Sequence, residues 1–355
     1  MCICSMAYEK ELAAAKKAVS LAARLCQKLQ RSLSQSDILT KPDNSPVTVA
    51  DFGSQVVVTL VLQKELQPEP LSLVAEEDSG ELRKNGAEAV LESIANLVKD
   101  TLDSDGYYPS SPLSTDHVLR AIECGRSEGG STGRHWVLDP IDGTRGFVRG
   151  EQYAVGLALL VEGQVVLGVM ACPNLPLACD TQKPSSDEVG CLFSATKGDG
   201  SYVQPLKGDG TPQKVQVSSI DNPEEAKFFE SYHKPMPIHS SIAKKLGIKS
   251  LPVRMDSQAK YGALAQGGGE IYLRFTRNGY QESIWDHAAG SIVTTEAGGV
   301  VMDAAGNALD FSRGKHLCHK TGIIVTTEKL KPWLLKAVKE SMEEDKLHLL
   351  QLQHV

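Results

Sequence analysis

Trp136-Val137-Leu138-Asp139-Pro140-Ile141-Asp142-Gly143-Thr144-Arg145-Gly146-Phe147 begins as an apolar strand and breaks into a turn. Asp139 ends the strand, and Asp142 lies three residues on, across Pro140. Proline fixes its own φ and restricts the residue before it, so the turn is stiff and both carboxylates can point at one small volume. Two carboxylates aimed together repel unless a proton or a cation lies between them. Magnesium takes oxygen ligands and keeps some waters for substrate phosphates, and the Ile141 carbonyl is a further candidate ligand. A helix starting after Gly143 would present free N–H groups to a phosphate, with glycine letting the backbone come close. The Thr144 hydroxyl, with Asp51 as acceptor, could hold an attacking water. Two metals ~3.5–4 Å apart would lower the pKa of that water and clamp the attacking and leaving oxygens.

Working outward, three more acidic residues stand where elements begin or end. Glu76 follows the apolar run Leu71 to Ala75, Asp286 opens an Ala/Gly-rich helix, and Asp51 falls in the first turns of another. Strand ends are where sheet-based enzymes hold catalytic groups, because the backbone is rigid and the side chain faces a crevice. Each residue alone has a plainer meaning. Glu76-Glu77-Asp78 is a solvated turn, Asp-Gly-Thr a tight turn or helix cap, Asp286 an N-cap and Asp51 a favourable charge near a helix start. Their joint occurrence with the Trp136–Phe147 string favours the metal reading.

The remaining pattern is mixed α and β. Apolar residues at helical spacing predict helices over Tyr8–Leu33, Thr48–Leu66 and Ala87–Leu102. Asp103 to Leu119 is turn-rich and is expected to be mobile. Tyr153–Leu160 with Gln164–Ala171, and Cys191–Thr196 with Ser201–Gln204, are expected hairpins; Asp180 to Glu188 is an expected exposed loop. Later residues alternate: strands at Val253–Met255, Glu270–Phe275, Val300–Asp303 and Gly322–Val325, and helices at Ser257–Ala265, Trp285–Glu296 and Leu330–Glu343, with a fraying end. Two subdomains are expected, an α+β metal-binding part at 1–206 and an α/β nucleotide-binding part at 207–355.

The 355 residues exceed one ordinary core. With 41% hydrophobic and 23% charged residues, the composition is that of a soluble globular enzyme. The formal net charge is −7, with no long Lys/Arg run, which speaks against a nucleic-acid partner. An acidic chain with a polyanionic substrate needs cations between them. No apolar stretch of ~18 residues marks a membrane span, and Met1 to Lys10 resembles neither a signal nor a transit peptide. A cytoplasmic chain, monomeric or homodimeric, is expected. Eight cysteines without a C-x-x-C pair predict reduced, mostly buried thiols, with redox regulation through Cys172, Cys179 or Cys191 left open.

WVLDPIDGTRGF resembles the D-P-[IL]-D-G-T signature of the lithium-sensitive, magnesium-dependent phosphatase superfamily, which includes inositol monophosphatases, fructose bisphosphatases and bisphosphate nucleotidases. SIWDHAAGSIVTTEAGG resembles its W-D-x-A-A-G…E-A-G-G signature, and SLVAEEDSG the segment of its first metal-binding Glu. SPVTVADFGSQ, DSQAKYGAL, IYLR and FVRGEQYAVGLALL resemble the 3'(2'),5'-bisphosphate nucleotidase branch, its plant members in particular, over nearly the whole chain. The resemblance implies an αβαβα sandwich with Mg2+ as cofactor. It makes Asp51 and Thr144 the pair that activates water, and Glu76, Asp139, the Ile141 carbonyl, Asp142 and Asp286 the metal ligands. Thr144, Ser257, Lys260, Arg274 and Asp286 become substrate ligands, with His233 a further candidate. Arg145 stands where relatives commonly carry Lys. His233-Lys234-Pro235 departs from their His-Ser, and His239-Ser240-Ser241 six residues on offers a second alignment.

The implied reaction is hydrolysis of the 3'-phosphate of adenosine 3',5'-bisphosphate to AMP and phosphate, with 3'-phosphoadenylyl sulfate a second substrate. Arg and Lys suit a phosphate through charge-assisted hydrogen bonds, and Ser257 at a helix start could bind an anion. Two alternatives are an inositol polyphosphate 1-phosphatase and a non-catalytic nucleotide-binding sensor.

Overall fold

The computed structural model describes residues 7–41, 46–107, 113–177, 189–208, 210–232, 236–275, 280–318 and 321–352. His233, Cys179 and the expected loop Asp180 to Glu188 lie outside them. Helix α1 (Glu9–Gln30) buries Ala15, Val19, Ala22 and Cys26, the residues at helical spacing. Strands β1 (Ile38–Thr40) and β2 (Pro46–Thr48) form a small antiparallel pair that leads into α2 (Val49–Glu65). A capping box starts α2: the Thr48 side chain accepts from the first turn, and Asp51 accepts the Thr48 N–H. Valine is a weak helix former, yet Val56, Val57, Val58 and Val61 follow one another here, all fully buried. Burial, at roughly 1.5–3 kcal/mol for each large apolar side chain, therefore outweighs propensity in α2.

Strand β3 (Leu73–Ala75) is followed by helices α3 (Glu88–Ser104) and α4 (Thr115–Glu123). The second helix corrects the expectation of mobile turns up to Leu119. Ser114 caps it through the His117 N–H, and Val118, Ala121 and Ile122 turn inward. Next come β4 (Arg134–Asp142), α5 (Thr144–Val148), β5 (Ala154–Val161), β6 (Gln164–Pro176), β7 (Val189–Thr196), β8 (Gly200–Pro205) and β9 (Gln213–Val215). These strands and β3 form one seven-stranded sheet in sequence order, with β3 and β4 parallel and every later pair antiparallel. The expected division at 206/207 falls between β8 and β9 of that sheet.

The second half contains β10 (Phe228–Glu230), α6 (Pro237–Lys245), β11 (Val253–Arg254), α7 (Ala259–Ala265), β12 (Ile271–Arg274), α8 (Ala288–Glu296), β13 (Gly299–Asp303), β14 (Ile323–Thr327) and α9 (Lys331–Leu352). Its five-stranded sheet has the order β11-β10-β12-β14-β13. The periodicity of the sequence did not reveal β10 or α6, whose cores are only Phe228, Phe229, Ile238 and Ile242. Helix α9 continues to Leu352, beyond its expected end at Glu343.

Three apolar clusters separate five layers. One lies between α1, α2 and the large sheet, a second between the two sheets around α7 and α8, and a third between the small sheet and α6 and α9. This is the αβαβα sandwich. The middle layer is tight: a Cβ on Gly290 of α8 would lie 2.4 Å from the Tyr261 ring of α7. That approach sets the helix bearing Lys260 directly against the helix that follows Asp286. Of the described cysteines, Cys26, Cys172 and Cys191 are buried, Cys124 is half-buried and Cys318 is exposed. Among the described residues no helix is long and apolar enough to cross a membrane.

Candidate active site

The parallel register of β3 and β4 sets Ala75 opposite Leu138, so Glu76 and Asp139 leave the sheet side by side. Residues three apart on a strand face opposite ways. Between Asp139 and Asp142, however, the register slips: these two pair with Gly156 and Ala154, three steps on β4 against two on β5. Such a bulge re-aims side chains and brings both carboxylates to one side. Ser54 of α2 pins the bulge by donating to the Pro140 carbonyl at 2.9 Å. Gly143 ends it at φ +88°, a left-handed conformation. A Cβ there would lie 2.8 Å from Cβ of Ser257, so the turn abuts the second half of the chain.

Thr144 opens α5 and donates its hydroxyl to Asp51 Oδ1 at 3.1 Å, with the Ile141 carbonyl at 3.3 Å. The other oxygen of Asp51 accepts the Thr48 N–H at 2.7 Å and the Thr48 hydroxyl at 2.6 Å. The helix cap thus orients the carboxylate toward Thr144. Asp51 is fully buried, and its pKa is pushed up to about 6 by that burial and by the Glu76 charge, against the Thr48 hydrogen bonds.

The acidic residues feel one another strongly. Burial and then the charges of Glu76, Asp142 and Asp286 raise the Asp139 carboxyl well above its ordinary value. Burial and Asp142 do the same to Asp286. Asp142 is raised to about 6 by burial, opposed by Arg274, Lys260 and the Gln258 N–H. Asp139 Oδ1 is buried with no hydrogen-bond partner. Each of these carboxylates is thus raised by the charges of its acidic neighbours in a region of low dielectric. Lys41 supplies positive charge, its ammonium 2.8 Å from Glu76 and 2.7 Å from Glu77, and the two carboxylates hold its pKa up against burial.

On the facing side, Lys260 is buried, with Nζ donating to the Met255 carbonyl at 3.0 Å and the Ser231 hydroxyl at 3.2 Å. Burial lowers its pKa to about 8. Arg274 at the end of β12 donates to Glu282 at 2.8 Å and reaches Asp286 at 3.5 Å. Among the described residues, Glu282, Asp286 and His287 have ligand atoms within 4.8 Å of one another, whereas Glu76, Asp139 and Asp142 fall in no such group of three. Glu282, though, already accepts from Arg274 on one oxygen and meets His287 at 3.1 Å on the other. Among the described residues Asp286 is held only by Arg274, at 3.5 Å, and it interacts through charge with Asp142 and Asp139.

Two expectations change. Ser257 does not open the helix: it sits left-handed at φ +67°, and α7 begins at Ala259. Asp142 takes the Gln258 N–H at 2.6 Å, and the Ser257 hydroxyl takes that of Ala259 at 3.2 Å. Asp286 closes a 3-10 turn, Ile284–Asp286, ahead of α8. His239 lies inside the small sheet's outer cluster, 3.1 Å from Glu230 and between the rings of Phe228 and Phe275. Sequence reasoning missed Lys41, Thr48, Gln258 and Glu282. Thr48-x-x-Asp51 carried a capping signature, whereas a lone Lys, Gln or Glu carried none.

The model of the inositol monophosphatase family matches residues 43–343. A protein of Arabidopsis thaliana named 3',5'-bisphosphate nucleotidase 2 is 73% identical over 346 residues, covering 97% of this chain and 100% of its own. A 3'(2'),5'-bisphosphate nucleotidase of Oryza sativa is 59% identical over 344 residues, covering 95% and 96%. Among solved structures, the extragenic suppressor protein suhB of Bartonella henselae matches 93% of this chain and 98% of its own, with a TM-score of 0.61 at 20% identity, a likeness of fold.

Proposed function

The chain belongs to the inositol monophosphatase family, and from that premise we propose that it hydrolyses the 3'-phosphate of adenosine 3',5'-bisphosphate to AMP and inorganic phosphate, with Mg2+ as its ion and 3'-phosphoadenylyl sulfate as a second substrate. The substrate class rests on the full-length likeness to proteins named as bisphosphate nucleotidases. One contact carries the reaction type: the Thr144 hydroxyl donates to a buried Asp51 at 3.1 Å, beside the Asp139–Asp142 bulge.

The donor set fits a hard divalent cation. Glu76, Asp139, Asp142, Asp286 and the Ile141 carbonyl offer only oxygen, and Asp139 Oδ1 is buried without a partner. Bound there, Mg2+ would neutralise phosphate charge and acidify a nearby water. The protein's own groups do the rest. Asp51, its pKa near 6, is ionised at neutral pH and draws the Thr144 proton toward itself. The Thr144 oxygen is then free to accept a hydrogen bond from the attacking water and to aim it in line with the phosphorus. Lys260 and Arg274 hold the second phosphate by charge-assisted hydrogen bonds. Positioning and charge neutralisation account for most of the catalysis of phosphoryl transfer.

Phosphate release is measured from adenosine 3',5'-bisphosphate and from inositol 1,4-bisphosphate, with and without Mg2+. Mg2+-dependent release from the nucleotide is expected, and Thr144→Ala should lower kcat about 10²–10⁴-fold with KM little changed. Faster turnover of the inositol phosphate would make the chain an inositol polyphosphate 1-phosphatase. Nucleotide binding without release would make it a binding module.

A further inference from the structure

Gln258 bonds to one carboxylate of the proposed ligand set and to the backbone just before another. Its backbone N–H donates to Asp142 Oδ2 at 2.6 Å, and its side-chain amide donates to the Trp285 carbonyl at 3.0 Å. Trp285 directly precedes Asp286. The residue is 1% exposed, so water does not compete for either bond. The large sheet leaves room for this amide: a Cβ on Gly156 of β5 would lie 2.9 Å from Gln258 Oε1 and 3.0 Å from Nε2. That glycine is paired with Asp139 across the sheet, so the amide passes directly over the strand pair bearing the metal-type ligands.

The backbone around Gln258 is held from three sides. Ser257 before it keeps a left-handed φ of +67°, which a non-glycine residue retains only when its surroundings impose it. The preceding Asp256 accepts the Tyr232 N–H at 3.1 Å on one oxygen and the Arg149 guanidinium at 2.8 Å on the other. Helix α7 follows at once. A stiff turn with two donors of fixed spacing works as a gauge between the Asp139–Asp142 bulge and the Trp285–Asp286 turn, which lie far apart in sequence.

We propose that Gln258 is a positioning residue that sets the separation of Asp142 from Asp286, and with it the affinity of the cluster for a divalent cation. The inference rests on those carboxylates being the ion ligands, as proposed above. Hydrogen-bonding groups behind metal ligands typically carry 10–100-fold in affinity, and one of the two Gln258 bonds survives any side-chain change. A weakening of about tenfold is therefore expected on losing the amide.

The test is calorimetric titration of Mg2+ and Mn2+ into the metal-free, substrate-free full chain as wild type, Gln258→Met, Gly156→Ala and the double variant, with a urea midpoint for each. Gln258→Met keeps the bulk and removes the donor; Gly156→Ala keeps the donor and pushes it aside. Each single variant should weaken ion binding about tenfold. The double variant should be about as weak as either single one, because both act on one amide. In kinetics the KM for nucleotide should stay within about threefold of wild type while kcat falls. If wild type binds neither ion, the ion-ligand reading fails first and takes this inference with it. If wild type binds but Gln258→Met stays within twofold, or the double variant loses the product of the two effects, Gln258 is not the gauge and the ion-ligand reading stands. Should Gln258→Met fold poorly by its urea midpoint, Gly156→Ala decides alone, and an unchanged affinity there overturns the proposal.

Discussion

Glu282→Gln removes one charge from a chain of four groups that is buried except at Arg274, whose side chain is 36% exposed. Glu282 is 1% exposed; one oxygen accepts from Arg274 Nε at 2.8 Å, the other meets His287 Nε2 at 3.1 Å, and His287 Nδ1 meets the Tyr261 hydroxyl at 2.8 Å. Burial alone would raise the Glu282 carboxyl. The His287 hydrogen bond and the Arg274 charge outweigh it and hold the pKa at about 2, against an ordinary 4.5. A depression of roughly 2.5 pKa units, at about 1.36 kcal/mol each, corresponds to about 3 kcal/mol of stability. Breaking a buried pair by deleting one partner falls in the same range, about 3–5 kcal/mol. Because the folded pKa lies below the unfolded one, this stability is fully present above pH 4.5 and is lost as pH falls toward 2. Urea denaturation should therefore show wild type about 3 kcal/mol more stable than the variant at pH 7, narrowing to about 2 kcal/mol near pH 3.5. A difference below about 0.5 kcal/mol at pH 7, or one that does not narrow with acid, would refute the assignment of this carboxylate as an ionised, buried anchor for Arg274.

Two further outcomes follow from the geometry. The acid limb of kcat/KM should fall off near pH 6, where Asp51 protonates, and Thr48→Val should move that limb to higher pH. Losing the hydroxyl removes a hydrogen bond that favours the ionised carboxylate. The substitution should also cost about 1 kcal/mol as a lost helix cap, read from the urea midpoint; an unmoved acid limb would exclude Asp51 as the titrating base. Gly290→Ala drives a methyl to 2.4 Å from the buried Tyr261 ring and should destabilise the chain by about 1–3 kcal/mol through overpacking. A wild-type melting curve for that variant would mean that α7 and α8 can slide apart.

Local pattern made the layers legible, and non-local pairing hid the contacts between them. The long amphipathic α1 and the two central hairpins follow from periodicity and turn residues, and their boundaries move by only a few residues. Helix α6 and strand β10 were illegible because their apolar content is too sparse to set a period; they are held by the neighbours they cover. Helix α4 was masked by the turn residues before it, although Ser114 and Val118 follow the rule for a capped helix. At the site, the strand ends exposed Glu76 and Asp139 as candidates because an apolar run ended on an acid. Whether Asp139 and Asp142 could face one way depended on one extra residue in β4 relative to β5, and only the pairing with Gly156 and Ala154 reveals that.

Ser257 shows the opposite failure, in which a correct motif suggested the wrong local geometry. Ser before an Ala-rich run is a helix start by propensity. Here, however, Asp142 reaches across from the other half of the chain and takes the Gln258 N–H, which displaces the helix by two residues and leaves Ser257 left-handed. The acid of the first motif therefore shapes the backbone of the second. An acidic chain that handles a doubly phosphorylated substrate has to place its few local cations accurately, and the same turn bears on both requirements: it leads into Lys260 and it fixes Asp142. Cation placement and carboxylate placement are thus one structural problem in this fold, solved at the contact between residues 139–143 and 256–260. A change that shifts the backbone on either side of that contact should perturb ion binding and nucleotide binding together, whereas loss of the Gln258 side-chain amide, which leaves its backbone bond to Asp142 in place, should fall on ion binding.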